Sequence, residues 1–265
     1  MKFGSRRFWT FSYRVAFALL ALAVLVVQGI ASRSTDKPDP RLQGSLVVAA
    51  GTLALIDNVR SAWLRFRAPN IARTQVRAHK CLVGAMASMA QSGDADMKSI
   101  GANVYVIKRQ VSRRWLVVPW WGLGLVREIR YRLTDTPLAS NVAWASGKGV
   151  VGTCWRDERP QYFHWAPVAK RWGGNKLPDQ AKFQTLPEKT ASNFTYKEFI
   201  GIVDKYAEIL AVPIMSEHGD KMLGVVSFDY PLSASSPGKQ VLAGDVIEEL
   251  ALGAAAVLRG DLDKR

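Results

Sequence analysis

Val15 to Ser32 is an unbroken run of 18 residues without a charged side chain, and Val15 to Val27 contains no polar one. As an α-helix this run spans roughly 27 Å, close to the thickness of a bilayer core. A helix packed on a protein core would carry a polar stripe on its outer side, and none occurs here before Gln28. Phe8, Trp9, Phe11 and Tyr13 precede it as an interfacial aromatic belt, with Lys2, Arg6, Arg7 and Arg14 among them. The run is therefore expected to cross a membrane. A cleaved leader has the same basic, apolar and small-residue order, ending here in Gly29, Ile30 and Ala31. Against that alternative stands a second apolar stretch, Leu42 to Ile56, which follows a turn-forming loop containing Asp36, Lys37, Pro38, Asp39 and Pro40. The second stretch carries Gln43, Ser45 and Thr52, and needs extra length from residues 57–63 or a thinned bilayer. The expected organisation is a transmembrane hairpin over residues 1–63, with helices at about 13–32 and 42–60, then a juxtamembrane linker over 64–71.

Charge gives the orientation. Residues 1–80 hold 13 Lys/Arg against 3 Asp/Glu, while residues 81–265 hold 23 against 19, so +10 of the net +14 lies beside the apolar segments. Positive charge in that place sets topology and attracts anionic lipid. Four basic residues precede the first segment, and Arg60, Arg65, Arg67, Arg73, Arg77 and Lys80 follow the second. Both ends are thus expected in the cytoplasm, with the loop 33–41 outside: a multi-pass protein of the cell membrane whose soluble domain is cytoplasmic. No DNA- or RNA-reading motif accompanies the charge, so nucleic acid is not the expected partner. The two cysteines, Cys81 and Cys154, form neither a CxxC nor a Cys/His cluster, which argues against a disulfide framework and a zinc site.

Beyond residue 71 the pattern is that of a mixed domain. A helix is expected over 71–91, with Val76, Val83, Met86 and Ala90 on one face and Ser92-Gly93-Asp94 as its end. Met86 and Met89 are read as core. Strands are expected at Asn103–Lys108, Trp115–Val118, about Ile129–Leu133, Tyr162–Val168, Glu208–Met215 and Lys221–Tyr230. Pro119 to Gly124 reads as an aromatic loop, and Gly147 to Trp155 as a glycine-rich turn entering a short helix. Residues 169–195 read as a long loop or flap. Thr195 is a plausible N-cap for a helix over 196–203. A closing helix over 239–258 places Leu242, Val246, Leu250, Ala254 and Leu258 on its apolar side. In the last strand Met222, Gly224, Val226 and Phe228 share one face, while Ser227 and Asp229 point the other way. Antiparallel strands bracketed by terminal helices make an α+β domain.

Three segments in this order resemble the GAF domain family: Gly147 to Trp155 (GKGVVGTCW), Ile209 to Ile214 ending in Val212-Pro213-Ile214, and Leu223 to Asp229 (LGVVSFD) after a charged turn. The likeness covers residues 72–260. It implies a six-stranded antiparallel sheet, terminal helices that pair into a homodimer, and a small-molecule pocket on the opposite face. Departures narrow what it carries. Asn175, Lys176, Phe183, Pro187 and Glu188 imitate the cyclic-nucleotide signature of the family, but Pro187 stands where an acidic residue belongs. Cys154 is followed by Trp155 rather than the histidine of chromophore-binding members, and two distant cysteines match the sulfoxide-reducing members poorly.

No HExxH, GxSxG or GxxxxGK[ST] motif occurs, and His79, His164 and His218 fall in a helix, a strand and a turn, so no catalytic role is expected. No cofactor is expected either. Trp120, Trp121, Trp144, Trp155 and Trp165 would surround the implied pocket, with Lys148, Arg156 and Arg171 as its basic groups. That set suits a flat anionic ligand such as a nucleotide. Gly149, between Gly147 and Gly152, would let backbone N–H groups approach an anion. The expected function is a membrane-tethered sensor or regulator whose ligand alters the pairing of the terminal helices. Two alternatives remain open: a ligand-gated effector that disrupts the bilayer, and a protein-interaction scaffold without ligand.

Overall fold

The computed structural model describes residues 75–263 apart from 113–119, 141, 175 and 178, with isolated positions between 52 and 61; for 110–112, 120 and 121 only the backbone is described. The chain divides into two compact units, Met1–Ala72 and Arg73–Arg265. In the first, Thr52, Leu55, Ile56, Asn58, Val59 and Ser61 are helical, and Leu55, Ile56 and Val59 are exposed. The rest of the expected hairpin, the linker 64–71 and the strand Trp115–Val118 lie outside the described residues. Among the described residues no helix is long and apolar enough to cross a membrane.

The second unit is built on a five-stranded antiparallel sheet. Its strands are β1 (Gly101–Ser112), β2 (Trp120–Tyr131), β3 (Gln161–His164), β4 (Tyr206–Met215) and β5 (Met222–Pro231), in the spatial order β2-β1-β5-β4-β3. The six strands implied by the resemblance become five among the described residues. The expected strand Trp115–Val118 is not among those described, and β1 is twice its expected length and pairs with β2 from Ala102 to Ser112, Ser112 opposite Trp120 and Lys108 opposite Gly124. Trp120 to Gly124, expected as a loop, are drawn into β2 by this register.

Helices cover both faces. On one side lie α1 (residues 75–92) and the last helix, α7 (Asp245–Leu262). Ala78, Leu82, Met86 and Met89 of α1 and Ile247, Ala251, Ala254, Ala255 and Leu258 of α7 join Ala102, Val104, Leu210, Val212, Val226 and Phe228 from the sheet in one core. Of the faces expected, Met86, Ala90, Leu242, Ala254 and Leu258 are buried, while Val76 and Val246 are 55% and 60% exposed. Ala78, Ile247 and Ala251, close to them in sequence, pack in the core instead. Gly93 and Asp94 close α1, with the Gly93 N–H donating to the Met89 carbonyl at 2.8 Å.

The opposite face carries α2 (Gly149–Asp157), α3 (Ala166–Trp172), α4 (Gln180–Gln184), α5 (Glu188–Ala191) and α6 (Tyr196–Ile200). The expected strand Tyr162–Val168 is cut short because Pro167 starts α3, where its missing N–H costs nothing. The expected flap over 169–195 is a series of short helices around a buried aromatic cluster of Trp165, Phe183, Phe194 and Phe199. Local chemistry explains two of them. Asp179 caps α4 through the Lys182 N–H, and Thr195 and Glu198 form a reciprocal capping box on α6.

Candidate ligand site

The alternation of β1 and β5 sends Val104, Val226 and Phe228 toward α1 and α7, and sends Asn103, Ser227 and Asp229 to the other side. Asn103 lies opposite Ser227, and Asp229 opposite Gly101. These polar residues, 6%, 2% and 5% exposed, line a cavity of about 30 Å³ with Tyr105, Ser140, Trp144, Val150, Val151, Trp165, Phe194, Ile202, Tyr206 and Ile209. That volume holds about one or two waters.

Asn103 Nδ2 donates to Asp229 Oδ2 at 3.0 Å, and Arg132, from just beyond β2, forms an ion pair with the same carboxylate. The guanidinium lies across Gly101, where a Cβ would stand 2.2 Å from its Nη2, so the pair depends on a glycine at that place. Apart from Asp229 Oδ1, which faces Arg132, two buried polar atoms of cavity-lining residues have no hydrogen-bond partner in the protein: the Asn103 Oδ1 acceptor and the Trp165 Nε1 donor. Each costs about 1–3 kcal/mol unless a water or a ligand meets it. Burial pushes the Tyr105 and Tyr206 phenols up, Tyr206 against the opposing pull of Arg132, Arg127, Arg130 and a hydrogen bond with Ser140. Both are therefore protonated O–H groups at neutral pH. The cavity offers donors and acceptors of both kinds and no reacting pair.

The residues expected to bind ligand are scattered. Trp144 and Trp165 line the cavity; Trp144 meets Tyr105 and Phe194 edge-on at 5.7 and 6.1 Å. Gly149 holds a left-handed φ of +59° and comes so close to Phe194 that a Cβ would lie 2.5 Å from its ring. It is a packing position, and its N–H donates to the Ser192 carbonyl at 2.8 Å. Lys148 pairs with Glu198 at 3.0 Å, so its charge is already engaged. Trp155 packs on the α2 core beside Cys154. Arg156 is paired with Asp157 at 2.7 Å and borders a separate open groove of about 450 Å³, with Gly147, Gly149, Thr153, Tyr162 and Asn193. Arg171 stacks on its own neighbour Trp172, 5.1 Å from the ring centre. Trp120 and Trp121 sit at the start of β2, opposite Ser112 and Val111.

Cys154 is fully buried, and burial with Asp157 nearby pushes its thiol up to about 12. Cys81 packs against the α1–α7 core and Cys154 against the α2 core, so the two do not form a shared dithiol centre. Among the described residues no group of three or more His, Cys, Asp or Glu is placed to hold a metal ion. Sequence reasoning does not select Asn103, Arg132, Tyr206, Ser227 or Asp229 as site residues. The available signal is the polar alternation of the last strand, Ser227 and Asp229 between apolar neighbours.

No family model and no curated protein matches this chain. Among solved structures it is similar to the reduced form of fRMsr of Staphylococcus aureus, at 16% identity over 73% of this chain and 95% of that one, with a TM-score of 0.35. A GAF domain structure is 16% identical over 71% of this chain and 90% of that one, with a TM-score of 0.34. A protein from Burkholderia vietnamiensis described as a GAF sensor is 14% identical over 74% and 94%, with a TM-score of 0.32. At these values the likenesses assign neither family nor activity.

Proposed function

We propose that residues 73–265 form a GAF-type sensory or regulatory domain that binds a small polar molecule in the cavity between the sheet and α2. One observation carries this reading: two partnerless polar atoms, Asn103 Oδ1 and Trp165 Nε1, in residues that line one buried cavity beside an Arg132–Asp229 pair. A fold gains nothing from such an arrangement unless something polar fills it. The volume of about 30 Å³ is too small for a nucleotide, so any ligand of that size must part the walls. Thermal unfolding and calorimetry of the full chain in detergent, against a panel of nucleotides and metabolites, test the reading. A hit should bind about tenfold more weakly to Trp165→Phe, which keeps a ring but removes the donor. A silent panel, or hits indifferent to that substitution, would overturn it.

A second reading, self-association through the terminal helices, is favoured by an apolar groove between α1 and α7. Its floor is small (Gly84, Ala85, Gly253, Ala254), Val246 and Val257 stand exposed on it, and Lys80 and Glu249 also line it. The groove is its own complement in kind, apolar and small at the floor with one cation and one anion at its border, so another copy of this chain is the proposed occupant. Sedimentation of the full chain should give a dimer that Gly253→Arg dissociates. A monomer throughout, or a dimer unaffected by that change, would count against it.

A further inference from the structure

Four cations converge on one loop. Arg127 Nη2 donates to the Ser140 carbonyl at 3.1 Å, Arg130 donates to the Pro137 carbonyl, and Arg132 Nη1 donates to the Thr136 and Ser99 carbonyls at 3.4 and 3.2 Å. Lys205, just before β4, donates to the Leu138 carbonyl at 3.3 Å. Asp229 pairs with Arg132 alone, and among the described residues no carboxylate forms an ion pair with Arg127, Arg130 or Lys205. Carbonyl dipoles solvate these charges without neutralising them. The unrelieved repulsion shows at Lys205, whose ammonium is pushed down by burial and then by Arg130 and Arg127. Two of the cations hold residues of the cavity wall. Ser140, held by Arg127, lines its wall, as does Asp229, held by Arg132.

We propose that Arg127, Arg130 and Lys205 are the binding site for an oxyanion, a carboxylate or phosphate group carried by the sensed molecule, and that the carbonyls of loop 134–140 occupy this site until the anion displaces them. Two forked guanidinium groups and an ammonium suit such a group, which would cancel the charge that the carbonyls leave standing. Displacing the loop withdraws Ser140 from the cavity wall, so the anion would open the cavity to the rest of the ligand. This rests on the reading of the cavity as a ligand site and adds the ligand's chemical class.

Thermal unfolding of the full chain in detergent, with inorganic phosphate or malonate against chloride at equal ionic strength, tests the assignment and separates the two anion chemistries. At least one should raise the midpoint saturably, by about 3–6 °C at ten times its dissociation constant. The same anion should speed chymotryptic cleavage after Leu138, which is already 71% exposed but tied through its carbonyl. The double variant Arg130→Gln, Lys205→Gln should lose both effects; these side chains donate to loop carbonyls that glutamine can still meet, and its circular dichroism should match the parent's. Equal responses to phosphate, malonate and chloride, retention of the shift in the double variant, or slower cleavage with bound anion would each overturn the proposal. If neutral compounds bind in a Trp165-dependent way while both anions fail, the cavity reading stands and the oxyanion assignment falls. If the anion effects appear but organic acids bind Trp165→Phe as tightly as the parent, the oxyanion site stands and the cavity reading falls.

Discussion

Glu208 is 1% exposed, and its two carboxylate oxygens take three donors: the Val241 N–H at 2.8 Å, the Leu242 N–H at 2.9 Å and the Tyr162 hydroxyl at 2.9 Å. One side chain of β4 therefore fixes the approach to α7 and the edge strand β3 together. Glu208→Ala strands all three donors and should destabilise the domain by about 3–5 kcal/mol, whereas Glu208→Gln keeps an acceptor and should cost about 1–3 kcal/mol. Denaturant unfolding with unchanged slope would check both. Glu198 makes a different prediction. Burial pushes its carboxyl up, but the Thr195 N–H, Lys148 and the Thr195 hydroxyl together hold it below the usual range. A carboxylate with a lowered folded pKa contributes in full above its unfolded value of about 4.3 and loses that contribution as pH falls through the folded value. The melting-temperature gap between the parent and Glu198→Gln should thus be widest above the unfolded value and close as pH falls through the lowered folded one. A pH-independent gap would mean that the capping geometry, not the charge, does the stabilising.

At the scale of elements, the turn into α2 is set by Gly149. Its φ of +59° is left-handed, and a Cβ there would meet the Phe194 ring at 2.5 Å and the Trp144 ring at 3.1 Å. Gly149→Ala should therefore cost about 2–4 kcal/mol from backbone strain and overpacking, read as a lowered unfolding midpoint with disturbed tryptophan fluorescence. That turn is legible in the sequence, because Gly147 and Gly149 directly before the apolar Val150 and Val151 mark a sharp change of chain direction into a packed helix. So are β4, β5 and both terminal helices, whose periodicities run for several turns or residue pairs. Which apolar side chains at the margin of each helix face reach the sheet is not legible. Val76 and Ala78 are both apolar, and only the distance to the sheet selects Ala78. The helices over 166–191 escape a sequence reading because each is a turn or two long, too short for a period to show, and held by caps and the aromatic cluster. The cavity's polar residues are hidden for a related reason. Asn103, Arg132 and Asp229 lie far apart in sequence, and register alone brings them together.

At the scale of the whole molecule, excess positive charge is concentrated toward the N-terminus, beside the two expected spans. Residues 1–80 carry +10 and residues 81–265 only +4. A basic surface that merely attracts anionic lipid and a basic flank beside true spans behave differently on extraction. Screening removes the first within a Debye length of about 3 Å at 1 M salt, while the burial of two apolar segments is insensitive to salt. If residues 13–32 and 42–60 span as proposed, the full chain should stay with the membrane through 1 M salt and alkaline carbonate and leave only in detergent. A membrane-impermeant thiol reagent applied to intact cells should label Ser34→Cys in the loop between the segments, but not Ser61→Cys beyond the second. Labelling of both positions would mean that only the first segment crosses, and that the basic residues Arg60 to Lys80 lie outside against the positive-inside rule. Release by salt alone would reduce the attachment to electrostatics.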